Sequence, residues 1–497
     1  MSSNAPTRVA RGGTSPAPAE HGIARFFKFQ EHKTTFLIEI LAGVTSFMMM
    51  SYIVIVNPLI LGFAGVKGLE GRGLPFSPVV TSTCLVAAVM SIAMGLYSNR
   101  AYVVAPGMGL NAVVAYTLVI GNGLSWPEAM GIVVLEGAAV TLLVLSGVRG
   151  AIMDAVPLEL KKSIAVGIGL FIAFIGLSGA KIVVQGNGTP LAFGDIVTWP
   201  KLVAVFGLII TLFFRARGFK ASLLLGIVVT TIGATLLNAA TGYKAFTTPG
   251  VAKWPGWSHF WQAPDFSLVG HVNFNAFHQI GVVATLVLVF ALFLSDFFDM
   301  MGTIVGVGQL AGYLDKYGNL PRAFRALLID ALSAIFGGLF SASSATTYVE
   351  SGAGVEAGGR TGFVAVVAGS LFLPAMFFSP LIGMVPSEAV MAALLIVGWQ
   401  MATVLVKHET VAESGVKRHL AGIDFSDPAL GLASFFTIVM MPLTYSITNG
   451  IGVGFIVYTV VRVFQGQWRK VHLFMYVSAA AFALYYAVPA MQAHGWL

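Results

Sequence analysis

Charge is what this sequence has least of. Only 10% of its 497 residues are Asp, Glu, Lys or Arg, against 57% hydrophobic, and the mean hydropathy is +0.85. So little charge cannot cover a water-facing surface, which excludes an ordinary soluble protein. Cysteine is nearly absent as well. The single Cys84 rules out a disulfide framework and a cysteine-based metal site. The nine histidines are scattered and no His-Glu-x-x-His occurs, which argues against a zinc peptidase. No cofactor is expected. Gly107–Gly109 and Gly306–Gly308 look like pieces of nucleotide-binding loops, but neither sits in a soluble strand–loop–helix unit. A net charge of +7 would suit nucleic acid in a soluble protein. In a membrane protein it reflects cytoplasmic loops, and no nucleic-acid partner is expected. Residues 1–26 read as a disordered tail, because their Ser, Pro, Ala and Gly surround no apolar core of a signal peptide.

What is present is a succession of apolar runs long enough, or nearly so, to cross lipid. They fall at about 36–56, 77–97, 127–147, 163–179, 201–214, 221–239, 277–299, 323–341, 361–383, 388–406, 428–443 and 447–464. Two more are interrupted. Ala101–Pro106 is short and extended, then gives way at Gly107-Met108-Gly109-Leu110-Asn111 to a helix ending near Val119. Ser341–Tyr348 is rich in Ser, Ala and Thr and leads into Val349-Glu350-Ser351-Gly352. Fourteen segments result, with a fifteenth run, Phe474–Val488, expected along the membrane surface. With the N-terminus placed in the cytoplasm, 22 of the 28 Lys and Arg fall on the inner side and 6 on the outer. That asymmetry supports both the orientation and the number of segments. The stretch 240–275, with Trp254, Trp257 and Trp261, reads as an interfacial extracellular element.

The interrupted segments are the third and the tenth, seven apart. Seven is odd, so the halves insert in opposite orientations. The fold class is therefore an all-α polytopic membrane protein of 14 transmembrane segments, a 7+7 inverted repeat with short extended stretches in segments 3 and 10. Broken segments at matching positions of two inverted halves point to the binding site of a secondary transporter.

Acids inside apolar segments are candidate functional residues, since a charge at the bilayer centre costs about 3 kcal/mol or more. They are Glu136, Asp296, Asp299, Asp330 and Glu350. Asp296 and Asp299 are three apart and share a helix face in segment 8. Two close carboxylates do not both ionise readily, which suits proton coupling; Asp299 equally suits an anchoring role. Glu350 opens a half-helix after an extended break, where free backbone N–H groups are expected. Asn111 holds the equivalent place in segment 3, and Gly107 and Gly109 permit close backbone approach to a ligand. Asn111 with Asp296 and Glu350 makes a hydrogen-bonding set for a small, polar, roughly neutral molecule. Phe297, Phe298, Tyr102 and Tyr348 are placed to stack on a flat ring or simply to pack. Asp330 reads as structural, with Asp315, Arg322 and Arg325 upstream; for Glu136 both readings stand.

These motifs carry a family resemblance. Ala42-Gly43-Val44-Thr45, Val56-Asn57-Pro58, Ala105-Pro106-Gly107-Met108-Gly109-Leu110-Asn111-Ala112 and Gly167-Ile168-Gly169-Leu170-Phe171-Ile172-Ala173 lie in the first half. Asp299-Met300-Met301-Gly302-Thr303, Tyr348-Val349-Glu350-Ser351, Ala357-Gly358-Gly359-Arg360-Thr361-Gly362 and Met441-Pro442-Leu443-Thr444-Tyr445-Ser446-Ile447 lie in the second. From about Phe27 to Tyr486 the chain resembles the nucleobase–cation symporters, in the adenine/guanine/hypoxanthine permease branch related to fungal azaguanine transporters. The resemblance implies a core domain (segments 1–4 and 8–11) and a gate domain (5–7 and 12–14). In residues these are 27–149 and 276–384 for the core, and 150–275 and 385–497 for the gate. It implies a purine held by Asn111, Asp296 and Glu350 with Gly109 alongside, Asp299 in support, and symport with protons. A homodimer through the gate domain in the plasma membrane, bathed in lipid, completes the expectation. Two features depart from the family. Ser295, Phe297, Phe298, Met300 and Met301 replace its usual neighbours of the two acids, and Glu136 stands where a small or apolar residue is usual.

Two rivals remain. An anion exchanger or sulfate-type transporter has the same architecture but wants a basic residue at its site. An intramembrane enzyme with an aspartate pair is disfavoured by their i, i+3 spacing and by the repeat.

Overall fold

The computed structural model describes residues 22–63, 66, 68–69, 71–147, 155–195, 197–248, 250–314, 320–321, 323–405, 409–413, 416–420 and 422–493. Asp315 and Arg322 lie outside the described residues, as does the expected tail up to residue 21. The last residues of that tail are helical instead, in Ile23–Phe27, where Phe27 is buried against Phe363.

The structure is mostly helical, and nine helices among the described residues are long and apolar enough to cross a membrane. The first crossing is α1 (Phe36–Met50) followed by α2 (Ile53–Leu61), with a break at Ser51–Tyr52. Then come α3 (Phe76–Ser98), the strand β1 (Val104–Pro106), and α4 (Met108–Ala112), which widens into a π-helix over Val113–Gly121. α5 (Trp126–Ser146) starts at a capping box between Ser125 and Glu128, reinforced by Pro127, and stops at Gly147 in a left-handed conformation (φ 74°). α6 (Leu158–Gly179), α7 (Trp199–Ala216) and α8 (Ser222–Ala240) complete the first half.

The second half has α9 (Val282–Leu310), α10 (Ala323–Leu339), β2 (Ala345–Thr347), α11 (Ser351–Glu356) and α12 (Phe363–Ala375). It ends with α13 (Ser387–Ala402), α14 (Pro428–Leu443), α15 (Ile447–Phe464) and α16 (Leu473–Ala493). Two departures from the sequence reading matter. α9 runs to Leu310, so Asp296 and Asp299 lie inside it rather than at its end. α16 reaches 21 residues and packs on α15 and α9, with Phe482 fully buried against Phe455.

The helices pack in two sets. α3, α9 and α10 touch the strands, with α5 packed on α9 and α10, α12 on α3 and α1 on α12, whereas α6, α7, α8, α13, α14 and α15 pack chiefly on one another. In the second set α6 and α13 meet backbone to backbone: a Cβ on Gly398 would lie 2.3 Å from the Gly169 carbonyl oxygen. Small residues permit such an approach where lipid offers no hydrophobic drive between helices. The stretch 241–275 lies across helix ends, its backbone N–H groups at Gln262, Gly270 and Asn273 donating to Phe377, Leu339 and Pro127.

Candidate functional site

A backbone break inside an apolar interior needs partners for every N–H and C=O. The two breaks supply them to each other. β1 and β2 run antiparallel, with Val104 opposite Thr347, Ala105 opposite Thr346 and Pro106 opposite Ala345. Tyr348 N–H to the Val103 carbonyl (3.0 Å) and Gly107 N–H to the Ser344 carbonyl (2.9 Å) extend the ladder at both ends. The outer edges are held by helices. Ser91 of α3 accepts from Val104 N–H and donates to its carbonyl, both at 2.9 Å. Asp330 of α10 accepts from Thr347 N–H at 2.6 Å, from the Thr346 hydroxyl at 3.2 Å and from the Thr347 hydroxyl. This is the structural role expected for Asp330.

Four more carboxyls gather around this crossing. Glu350 comes just after β2, buried, and accepts from the Tyr52 hydroxyl at 2.8 Å. Its expected free N–H groups are not there: Ser351, Gly352 and Ala353 donate to Tyr348, Val349 and Glu350 at 3.0–3.1 Å. The backbone tightens into a turn before α11, and that turn consumes the donors. Asp296 is fully buried, and no hydroxyl, amide or cationic donor among the described residues reaches either of its oxygens. Its carboxyl lies beside that of Glu136 on α5, whose other oxygen accepts from the Ser344 hydroxyl at 3.1 Å. Asp299 is half-buried, toward Asp330 and Glu350.

Asn111 is fully buried, with both side-chain amide atoms unpartnered among the described residues. Gly109 has a packing reason, since a Cβ there would lie 2.6 Å from Ile168 Cγ2 on α6. The space expected for a ligand beside that backbone is taken by this methyl. Phe297 stacks on Phe293 (5.9 Å between centroids, 10° between planes), and Phe298 meets its edge. Tyr348 donates its hydroxyl to the Pro106 carbonyl. Asp296, Asp299, Glu350, Glu136 and Asp330 are thus brought together, while Phe297 and Gly109 engage protein neighbours.

Two residues escaped the sequence reading. Tyr52 sits at the break between α1 and α2; a tyrosine inside an apolar run was its one signal. Glu39 is fully buried on α1, where it accepts from Arg360 N–H (2.8 Å), Thr361 N–H (3.2 Å) and the Thr361 hydroxyl (2.6 Å). Its place one turn into the first apolar run made it look like a boundary charge.

Comparison with known proteins agrees in kind. The sequence profile of the Permease family matches residues 37–407. A putative permease of Methanocaldococcus jannaschii is 38% identical over 93% of this chain and 97% of its own. The adenine permease AdeQ of Escherichia coli is 36% identical (93% and 95%), and the guanine/hypoxanthine permease PbuG of Bacillus subtilis 37% (93% and 98%). Among solved structures, the transmembrane domain of a cyanobacterial bicarbonate transporter, BicA, aligns with a TM-score of 0.56 at 15% identity, covering 83% of this chain and 96% of that one. The murine anion transporter Slc26a9 aligns at 0.58 and 12%, covering 91% and 74%.

Proposed function

The chain belongs to the Permease family, and from that premise we propose that it imports purine nucleobases: adenine, guanine, hypoxanthine or several of these. It is an integral membrane transporter rather than an enzyme. The observation that carries the reading is Asp296, a buried carboxyl whose one neighbouring partner among the described residues is another carboxyl, in a chain whose full-length relatives are named adenine and guanine/hypoxanthine permeases. A purine offers ring N–H and amino donors to such a group.

In this proposal Asp296 and Glu350 accept from the base and Asn111 orients it. Asp299 supports the site and carries a proton with Asp296 and Glu350. Tyr348 and Phe297 back the site, and Gly109 sets the approach of α6. Fourteen spans arise from the nine long helices together with the shorter 108–121, 323–339, 351–356, 387–402 and 428–443, arranged as a 7+7 inverted repeat. The helix set around the strands is the core domain and the other the gate, and alternating access moves one against the other. Proton symport, a cytoplasmic N-terminus in the plasma membrane and a homodimer through the gate belong to the same proposal.

The test is uptake of radiolabelled hypoxanthine by cells carrying Asp296→Ala or Glu350→Ala. Uptake is expected to fall at least tenfold with the protein still in the membrane, and normal uptake would sink the site assignment. The anion-exchange reading draws on the solved neighbours, whose identity of 12–15% speaks for fold alone. Carboxylates at the centre repel anions. Competition by sulfate or bicarbonate, with purines inert, would favour that reading.

A further inference from the structure

Glu136 has a place in neither the strand scaffold nor the base site. It sits midway along α5, fully buried. Oε2 accepts from Ser344, while Oε1 receives nothing among the described residues. Within hydrogen-bonding reach lies the Asp296 carboxyl, whose oxygens meet no donor among the described residues other than this neighbouring carboxyl. The groups facing the pair are Asp330 from α10, Asp299 from α9 and Ser344 ahead of β2. Arg215, at the end of α7, acts at longer range on Glu350. Neither carboxyl of the pair is ion-paired among the described residues.

Two neighbouring carboxyls, both fully buried and without an ion-pair partner among the described residues, satisfy one another when an O–H on one donates to an oxygen of the other. Both ionised, they would repel in a low dielectric; both far from donors, they would leave buried acceptors unmet. Asn111, on α4, which packs against α9, is a second fully buried group with side-chain polar atoms unpartnered among the described residues.

We propose that Glu136 joins the proton-carrying acids Asp296, Asp299 and Glu350 by sharing with Asp296 the proton that crosses with the substrate, an inference that rests on the proton-symport reading above. A proton from the outer side forms an O–H bond on Glu136. That hydrogen donates to Asp296, which stays anionic and keeps an oxygen for a base N–H. On the inner side, once the base has left, the O–H bond breaks and the proton passes to cytoplasmic water. Glu136 is then a positioning and coupling residue that acts through Asp296.

The experiment uses the full-length protein in liposomes enclosing a pH dye, with labelled hypoxanthine. Counterflow without a pH gradient reports base translocation; accumulation driven by a pH gradient and base-induced acidification report coupling. Glu136→Gln is expected to lower accumulation at least tenfold more than counterflow, to flatten the pH profile of uptake and to remove the acidification. Accumulation and counterflow falling in parallel, or an unchanged pH profile, overturns the inference. If wild-type protein shows no counterflow with adenine, guanine or hypoxanthine, the purine reading fails and takes this one with it. Should Glu136→Gln not fold, Ser344→Ala, which removes the hydroxyl on Oε2, must move the pH profile; an unmoved profile is equally fatal.

Discussion

The two strands that meet at the centre have the same length and face each other residue for residue, yet they are held by different chemistry. β1 is gripped by Ser91, a neutral hydroxyl that accepts and donates to one residue. β2 is gripped by Asp330, a carboxylate that takes a backbone N–H and two hydroxyls. The residues beyond each strand differ in the same sense. After β1 comes Asn111, whose side-chain amide has no partner among the described residues; after β2 comes Glu350, already held by Tyr52. The half with β2 also supplies Asp296 and Asp299. One break is a quiet backbone support, and the other is built into a network of acids.

The largest effect should come from breaking that asymmetry at its root. Asp330→Ala removes three hydrogen bonds and leaves Thr347 N–H buried without an acceptor, which should cost ~3–5 kcal/mol. Ser91→Ala strips one N–H of its acceptor and should cost ~1–2 kcal/mol. Thermal unfolding of the purified variants in detergent ranks them. Equal midpoints would mean that the strands are held equally and that the carboxylate brings nothing the serine lacks.

A smaller effect is expected where the acid network meets the first half. Tyr52→Phe deletes the hydroxyl that donates to Glu350 at 2.8 Å and fills the space with the same ring. The loss is about 1–1.5 kcal/mol. If Glu350 is a substrate ligand, that appears as a roughly tenfold rise in the KM of hypoxanthine uptake, with little change in the unfolding midpoint. A lowered midpoint at constant KM would instead make the pair a structural clamp and weaken the site assignment at Glu350.

How much of this was legible in the sequence depends on the kind of signal. Fully apolar runs and the two breaks were readable because lipid forbids unpaired backbone, so a stretch such as Ser-Ala-Ser-Ser-Ala-Thr-Thr must be doing something other than spanning. That the breaks pair with each other was not readable, because β1 and β2 are more than two hundred residues apart and a three-residue strand has no pattern of its own. The acids of α9 stood out against Phe and Leu. Glu39 did not, because a charge one turn inside an apolar run looks the same whether it faces water or caps a distant turn at Arg360–Thr361. The dipole end expected at Glu350 failed for a local reason. The chain closes a tight turn there and spends its N–H groups on its own carbonyls, an outcome set by geometry that composition does not encode.

The smallest effect tests the quieter break. Gly109 lies half-buried on α4, and the sequence offers two reasons for a glycine there: a ligand against the backbone, or a neighbouring helix. The structure has the second, with Ile168 Cγ2 2.6 Å from where a Cβ would be. Gly109→Ala should therefore strain the contact between α4 and α6 and cost about 1 kcal/mol, near the low end for overpacking. Combining it with Ile168→Ala removes the clashing methyl, so the double variant should be more stable than the two single losses add up to, with the KM restored; Ile168 is buried, and its own truncation keeps the midpoint below that of the parent. A double variant that shows this relief in stability but keeps a raised KM would put the ligand, not Ile168, against Gly109. β1 would then belong to the binding site as fully as β2 does, and the contrast between the two breaks would be one of support alone.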